Sequence, residues 1–348
     1  MMNINELLRE NVKNMQPYSC ARDEFKGEAS VYLDANESPY NSPYNRYPDP
    51  QQWKVKEAIS KIKNVPAANI FIGNGSDEPI DLLFRAFCEP RKDNVVAIEP
   101  TYGMYKVCAA VNDIEYRKVA LNDAFDIEAF KLMDATNHST KIIWLCSPNN
   151  PTGNSLNILE IEKLLQWFRG IVVVDEAYID FSTNESLSSL LENYANLVIL
   201  QTMSKAWGNA GIRLGMAYAS TEIIEVLNKI KYPYNINILT QEHALKMLSN
   251  KATVDKWVET ILDERTNLIK KLKALDLVKH IYPTDANFVL VKVEDATMVY
   301  NWLVNKGIIV RNRSSVTLCD NCLRITVGEA SETKSLISAL NEYATVLK

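Results

Sequence analysis

Lys205 lies in the run Thr202-Met203-Ser204-Lys205-Ala206-Trp207-Gly208, and Arg213 follows eight positions later. A lysine amine can condense with an aldehyde to form a Schiff base. Hydroxyl side chains and an arginine fork beside it can hold a phosphate. Pyridoxal 5′-phosphate carries both an aldehyde and a phosphate. Alone, a Ser-Lys pair has a plainer reading, a solvated lysine on a surface turn, because charged side chains usually stay in water.

Other residues describe the rest of the same molecule. Asp175 ends the apolar run Val172-Val173-Val174. A carboxylate there is costly to bury unless it is paired. A protonated pyridine nitrogen is one partner, and a cationic ring is a strong electron sink. The alternative is that Asp175 caps a following helix. Tyr178, three residues on, shares a face with Asp175 if that helix starts here. Its hydroxyl then reaches the phenolic oxygen of the ring, unless it is simply a packed tyrosine. Asn150, in Ser147-Pro148-Asn149-Asn150-Pro151-Thr152-Gly153, offers an amide to that oxygen. Gly73-Asn74-Gly75-Ser76-Asp77-Glu78 follows an apolar run and opens a helical stretch. Glycine permits close backbone approach, and free N–H groups at a helix start bind phosphate. A plain turn with a Ser or Asp cap also explains it. Tyr102, in Glu99-Pro100-Thr101-Tyr102-Gly103-Met104-Tyr105, is placed to stack on a flat ring or to pack in a core. Jointly these sites make separate coincidences the weaker account.

The elements that must position them alternate. Helical stretches at 52–63 and 78–87 separate short apolar runs at 70–72, 94–98, 141–145, 171–174 and 197–200. Continuous β-branched runs of this length predict strands buried on both faces of a mostly parallel sheet. Ligands in such sheets bind beyond the carboxyl ends of the strands, where these motifs fall. A brief strand is expected at Tyr32–Asn36, and residues 40–50 read as irregular. After about residue 246 the texture changes. A helix at 252–275, strands at 287–293, 308–310 and 323–327, a helix at 298–306 and a last helix predict a smaller α+β domain. The division expected is an arm at 1–30, a joining segment at 31–50, a large α/β domain at 51–245 and a small domain at 246–348.

The 348 residues suit two domains. A net charge of −5 argues against a broad nucleic-acid surface. No apolar run is long enough to span a bilayer, and the start lacks a signal-peptide core, so a cytoplasmic protein is expected. The six cysteines, Cys20, Cys88, Cys108, Cys146, Cys319 and Cys322, are expected to be free thiols. Cys319 and Cys322 form one CxxC with no second pair, and the three histidines lack ligand spacing, so no metal site is expected.

These motifs resemble the fold-type I pyridoxal-phosphate enzymes, the aspartate aminotransferase superfamily, over nearly the whole chain. Within it they are most similar to the histidinol-phosphate aminotransferase family. The resemblance rests on Leu33-Asp34-Ala35-Asn36-Glu37-Ser38-Pro39, Asn45-Arg46-Tyr47-Pro48-Asp49-Pro50, Gly75-Ser76-Asp77-Glu78, Pro100-to-Tyr105, Ser147-to-Gly153, Asp175-to-Tyr178, Ser204-to-Gly208 and Cys322-to-Gly328. It implies that Lys205 links to pyridoxal 5′-phosphate, that Asp175 faces the ring nitrogen, and that Asn150 and Tyr178 address the phenolic oxygen. Tyr102 stacks on the ring. Thr202, Ser204, Arg213 and the backbone of Ser76 and Asp77 hold the phosphate. Tyr47 reaches it from a neighbouring subunit, which implies a homodimer. Ser76 stands where many relatives have Ala, and Asp34 where Asn is common.

The resemblance further implies ping-pong transamination between L-histidinol phosphate and 2-oxoglutarate, with Arg311 and Arg324 taking the substrate phosphate and Tyr18 and Asn36 lining the pocket. For Arg311 the alternative is a solvated strand-end charge beside Arg313. Threonine-phosphate decarboxylase and a broad aromatic aminotransferase share the same frame. A silent binding module is a different class, disfavoured because it has no need for Lys205, Asp175, Asn150 and Tyr178 together.

Overall fold

A computed structural model describes residues 3–18 and 29–346. Cys20 and positions 19–28 of the expected arm lie outside the described residues. Strands β1 (Ile70–Asn74), β2 (Asn94–Glu99), β3 (Glu115–Ala120), β4 (Thr140–Cys146), β5 (Ile171–Asp175), β6 (Leu197–Thr202) and β7 (Leu214–Ala219) form one sheet in the order β1-β7-β6-β5-β4-β2-β3. The pairs β2–β3, β2–β4, β4–β5 and β5–β6 are parallel, whereas β7 runs antiparallel to β1 and β6.

Period-two alternation sends each strand's side chains to two cores. Val172 and Val174 join one, and Ile171 and Val173 the other. Each of these four is fully buried. At about 1.5–3 kcal/mol per fully buried aliphatic side chain, the run holds β5 in place against the desolvation of Asp175 at its end.

The second sheet is antiparallel and ordered β10-β11-β9-β8, with β8 (Val278–Ile281), β9 (Phe288–Val293), β10 (Arg311–Asn312) and β11 (Cys322–Thr326). Val289, Val291, Leu323 and Ile325 pack in a core on one face, beneath the helices Lys251–Lys273, Ala296–Asn305 and Ala330–Val346. Phe288, Leu290 and Cys322 point the other way and join the core of the large sheet. Arg324 alternates onto that second face.

Three expected elements differ. No strand forms at Tyr32–Asn36. Glu37 organises that segment through polar contacts instead, accepting from Tyr47 N at 2.6 Å and from Arg46 Nη1 at 2.7 Å. Residues 308–310 are not a strand either, because the Ile308 N–H is spent on Leu303 O at 2.8 Å, at the end of the preceding helix. Pairing starts at Arg311. After Asp175 there is a turn and the single 3-10 turn Ile179–Phe181 rather than an α-helix. Among the described residues no helix is long and apolar enough to cross a membrane.

Candidate active site

A cavity of about 840 Å³ opens where β1, β2, β4, β5 and β6 end and the small sheet faces them. Ser76, Asp77, Tyr102, Asn150, Asp175, Tyr178, Thr202, Ser204, Lys205, Arg213, Arg311 and Arg324 all line it. Tyr18, Asn36 and Tyr47 do not. Tyr18 and Asn36 are exposed, and Tyr47 stacks on Tyr234 with ring centres 4.4 Å apart.

Lys205 stands in the turn after β6, half-buried, with Nζ 5.5 Å from the centre of the Tyr178 ring. Burial lowers its pKa, and the Arg324 cation lowers it further. Both effects favour the neutral amine, the form that attacks an aldehyde or accepts a proton.

Asp175 is 2 % exposed. Its Oδ2 accepts from Tyr105 Oη at 2.8 Å and its Oδ1 from Ala177 N at 3.1 Å. Burial pushes its pKa up to about 6 despite these bonds. The bond to Ala177 N closes the turn that takes the place of the expected helix.

Two edges of the cavity differ in character. On one, Thr202 Oγ1 donates to Ser204 Oγ at 2.9 Å, and Arg213 Nη2 lies 3.3 Å from Asp77 Oδ2. The helix Asp77–Phe87 begins beside them, and the N–H groups of its first turn lack intrahelical partners. Gly75 has φ +66°, and a Cβ there would sit 2.6 Å from Arg213 Nη2. At Gly215 a Cβ would collide with the backbone of Gly75 and Ser76. Backbone, hydroxyls and guanidinium therefore form a tight cradle of donors, which fits a phosphate. On the other edge, Asn150 accepts from Arg324 Nη1 and donates from Nδ2 to Tyr178 Oη at 3.4 Å. Between the edges Tyr102 is held by its hydroxyl on Asp77 Oδ1 at 3.1 Å and by an edge contact with Tyr105. These groups could hold pyridoxal 5′-phosphate, with Lys205 at its aldehyde and Asp175 at its ring nitrogen.

The sequence matches the family "Aminotransferase class I and II" over residues 22–340. The chain belongs to the class I and II aminotransferases. A histidinol-phosphate aminotransferase of Bacteroides thetaiotaomicron is 58 % identical over 344 residues, 99 % of each chain. Among solved structures, the histidinol-phosphate aminotransferase of Clostridium acetobutylicum aligns with a TM-score of 0.81 at 22 % identity, covering 87 % of this chain and 92 % of that one. The Sinorhizobium meliloti enzyme of that name, solved with pyridoxal-5′-phosphate, aligns with a TM-score of 0.80 at 23 % identity and 90 % of each chain. The fold is that of the fold-type I enzymes, a mostly parallel seven-stranded sheet flanked by helices and a smaller antiparallel-sheet unit.

Two residues of this aminotransferase site escaped the sequence reading. Tyr105, in the first turn of the helix Met104–Val111 that follows Tyr102, is fully buried and donates to Asp175. Arg313 lines the cavity with Arg311 and Arg324. The sequence signal for Arg313 is its i+2 spacing from Arg311, which in extended chain means a shared face. Arg311 and Arg324 are direct cross-strand partners. Like charges placed directly opposite destabilise a sheet, and among the described residues no carboxylate pairs with either arginine. Cys319 and Cys322, the CxxC pair, are buried free thiols.

Proposed function

We propose that this protein is a pyridoxal 5′-phosphate-dependent transaminase that moves the amino group of L-histidinol phosphate to 2-oxoglutarate. The products are imidazole-acetol phosphate and L-glutamate, and the reaction belongs to histidine biosynthesis. The observation that carries the substrate is the paired Arg311 and Arg324, which line the same cavity as Lys205 and have no acidic partner among the described residues. Full-length identity of 51–58 % with relatives named for this reaction supports it.

When bound, pyridoxal 5′-phosphate supplies an amine-reactive aldehyde and a cationic ring that withdraws electrons from the substrate carbon. The protein's part is to orient and to move protons. Thr202, Ser204, Arg213 and the N–H groups of Ser76 and Asp77 anchor the phosphate. Asp175 stays ionised beside the ring nitrogen and keeps its proton in place. Asn150 and Tyr178 fix the phenolic edge, and Tyr102 covers one face. Lys205 Nζ would take the proton from the substrate carbon and later return one. Its lowered pKa suits it to both directions. Arg324 and Arg311 hold the substrate anion, first a phosphate and then a carboxylate, because a guanidinium fork matches both.

The assignment has a direct assay. Purified protein given L-histidinol phosphate and 2-oxoglutarate should form glutamate. Carbon dioxide from threonine phosphate with no glutamate would instead make it a decarboxylase.

The arm, joining segment, large domain and small domain are assigned to 1–30, 31–50, 51–245 and 246–348. The working form is a homodimer in the cytoplasm. Tyr47 is 49 % exposed and outside its own subunit's cavity, which suits a reach into a neighbour's. Tyr18 and Asn36, also outside it, are assigned to the substrate pocket completed on pairing. Sedimentation of the active enzyme should give a dimer, and a fully active monomer would remove Tyr47 from the site.

A further inference from the structure

We infer that Arg313 is a specificity-determining residue that recognises the phosphate of the amino donor and is not used by the carboxylate substrate. This rests on the histidinol phosphate reading above.

The backbone places it. Arg313 N donates to Cys322 O at 2.8 Å, continuing the ladder in which Arg311 faces Arg324. Cys322 and Arg324 are two apart, as are Arg311 and Arg313, so all four point to one face of the small sheet. That face is the cavity wall. Arg311 is exposed at the mouth, whereas Arg313 and Arg324 are half-buried.

The side chain of Arg313 is unspent. Among the described residues it makes no side-chain hydrogen bond and no ion pair, and its buried Nε has no partner. Arg324 Nε is in the same condition. Burial, reinforced by Arg324 and Arg311, pulls the Arg313 pKa down to about 10. A buried donor without an acceptor costs about 1–3 kcal/mol, and two arginines with such donors line one cavity that is short of an anion.

Charge and shape decide which ligand. Glutamate and 2-oxoglutarate carry two separate carboxylates, each with one charge and two oxygens in a plane, so one fork apiece, from Arg324 and Arg311, satisfies them. A phosphate monoester carries about −1.5 to −2 at neutral pH and three terminal oxygens in a tetrahedron. The forks of Arg324 and Arg311 leave part of it unpaired. A further fork from another direction completes it, and Arg313 supplies that fork beside them. The loop beyond is held by its backbone, with Val316 N on Arg313 O at 2.8 Å and Ser314 N on Asn312 Oδ1 at 2.9 Å. Replacing the Arg313 side chain therefore leaves the fold intact.

The test measures the two half-reactions of the holoenzyme separately in wild type, Arg313→Gln and Arg313→Lys. In Arg313→Gln the half-saturating concentration of L-histidinol phosphate should rise about 30-fold, the scale of one lost charge-assisted contact, with the limiting rate nearly unchanged. The glutamate half-reaction should hold within about 3-fold, since its two carboxylates are satisfied by Arg324 and Arg311. Arg313→Lys, which keeps charge but loses the fork, should fall between. Equal losses in both half-reactions, or loss with glutamate alone, would overturn the inference. Calorimetric titration of the holoenzymes with inorganic phosphate separates this from the functional reading. If wild type fails to use histidinol phosphate, that reading fails. The phosphate titration still decides Arg313, because affinity that Arg313→Gln leaves unchanged rules the subsite out.

Discussion

The Lys205→Ala variant should lose transamination by about 10⁴-fold, the upper end of what a positioned proton-transfer group contributes. It should still bind pyridoxal 5′-phosphate through the phosphate cradle. Lys205 sits 5.5 Å from the Tyr178 ring centre and lines the same cavity as Asp175 and Arg324. Among the described residues no other lysine amine is positioned to substitute: Lys106 and Lys118 also line the cavity, but Lys118 Nζ is paired with Glu99 Oε1 at 2.6 Å and Lys106 is exposed. Borohydride treatment of wild type should fix the cofactor to the peptide that carries Lys205. The treated variant should release all of its cofactor on denaturation. Cofactor still fixed to the protein in Lys205→Ala would move the reactive amine elsewhere and undo the central assignment. The fold should survive, because the surrounding turn is held by backbone bonds such as Gly208 N to Lys205 O and Asn209 N to Met203 O.

How much of this was legible beforehand follows from what each residue has to satisfy. Strands β2, β4, β5 and β6 are buried on both faces, so their sequences are continuous β-branched runs and announce themselves. Strand β7 is equally buried, yet it reads Leu-Gly-Met-Ala-Tyr-Ala. Gly215 is required there by the close approach of Gly75 and Ser76, and that local need suppresses the propensity signal. Strand β3 is an edge strand whose charged residues are half-exposed, so it carries no apolar run. In the site, motifs that stay within one strand end, such as Asp175 or Lys205, could be read locally. Arg313 could not, because the strand expected at 308–310 was placed too early to extend its face to 313. Tyr105 was hidden for a different reason: its role is to hold Asp175, seventy residues away in sequence. Tyr18, Asn36 and Tyr47 came from resemblance alone, and the cavity of one chain does not contain them.

Asp175→Asn should separate the activity of this site from the stability of its fold. The substitution is nearly isosteric, and its hydrogen bonds can be remade. The amide Oδ1 accepts from Ala177 N, and Nδ2 donates to Tyr105 Oη, whose hydrogen rotates away. What is lost is the negative charge. Without it the ring nitrogen has no anion to hold its proton, and the catalytic rate should fall about 10²–10³-fold, the scale of one preorganised electrostatic contact. The cofactor-free protein should respond in the opposite sense. Burial raises the folded-state pKa of Asp175 to about 6, against about 4 in the unfolded chain. Between those values the folded state holds a proton that the unfolded state has released. Stability therefore falls as pH rises through that window, by at most roughly 3 kcal/mol, and stays lower above it. Asparagine has no proton to lose. Urea unfolding of the two cofactor-free proteins should thus show Asp175→Asn gaining on wild type between pH 4 and pH 7, with the gap constant beyond. A gap independent of pH would mean that Asp175 is not a strained acid in the empty site. With cofactor bound the ranking should reverse, because a cationic ring nitrogen stabilises the carboxylate that burial alone disfavours. The same charge that weakens the empty fold is then the charge that holds the cofactor in its reactive form.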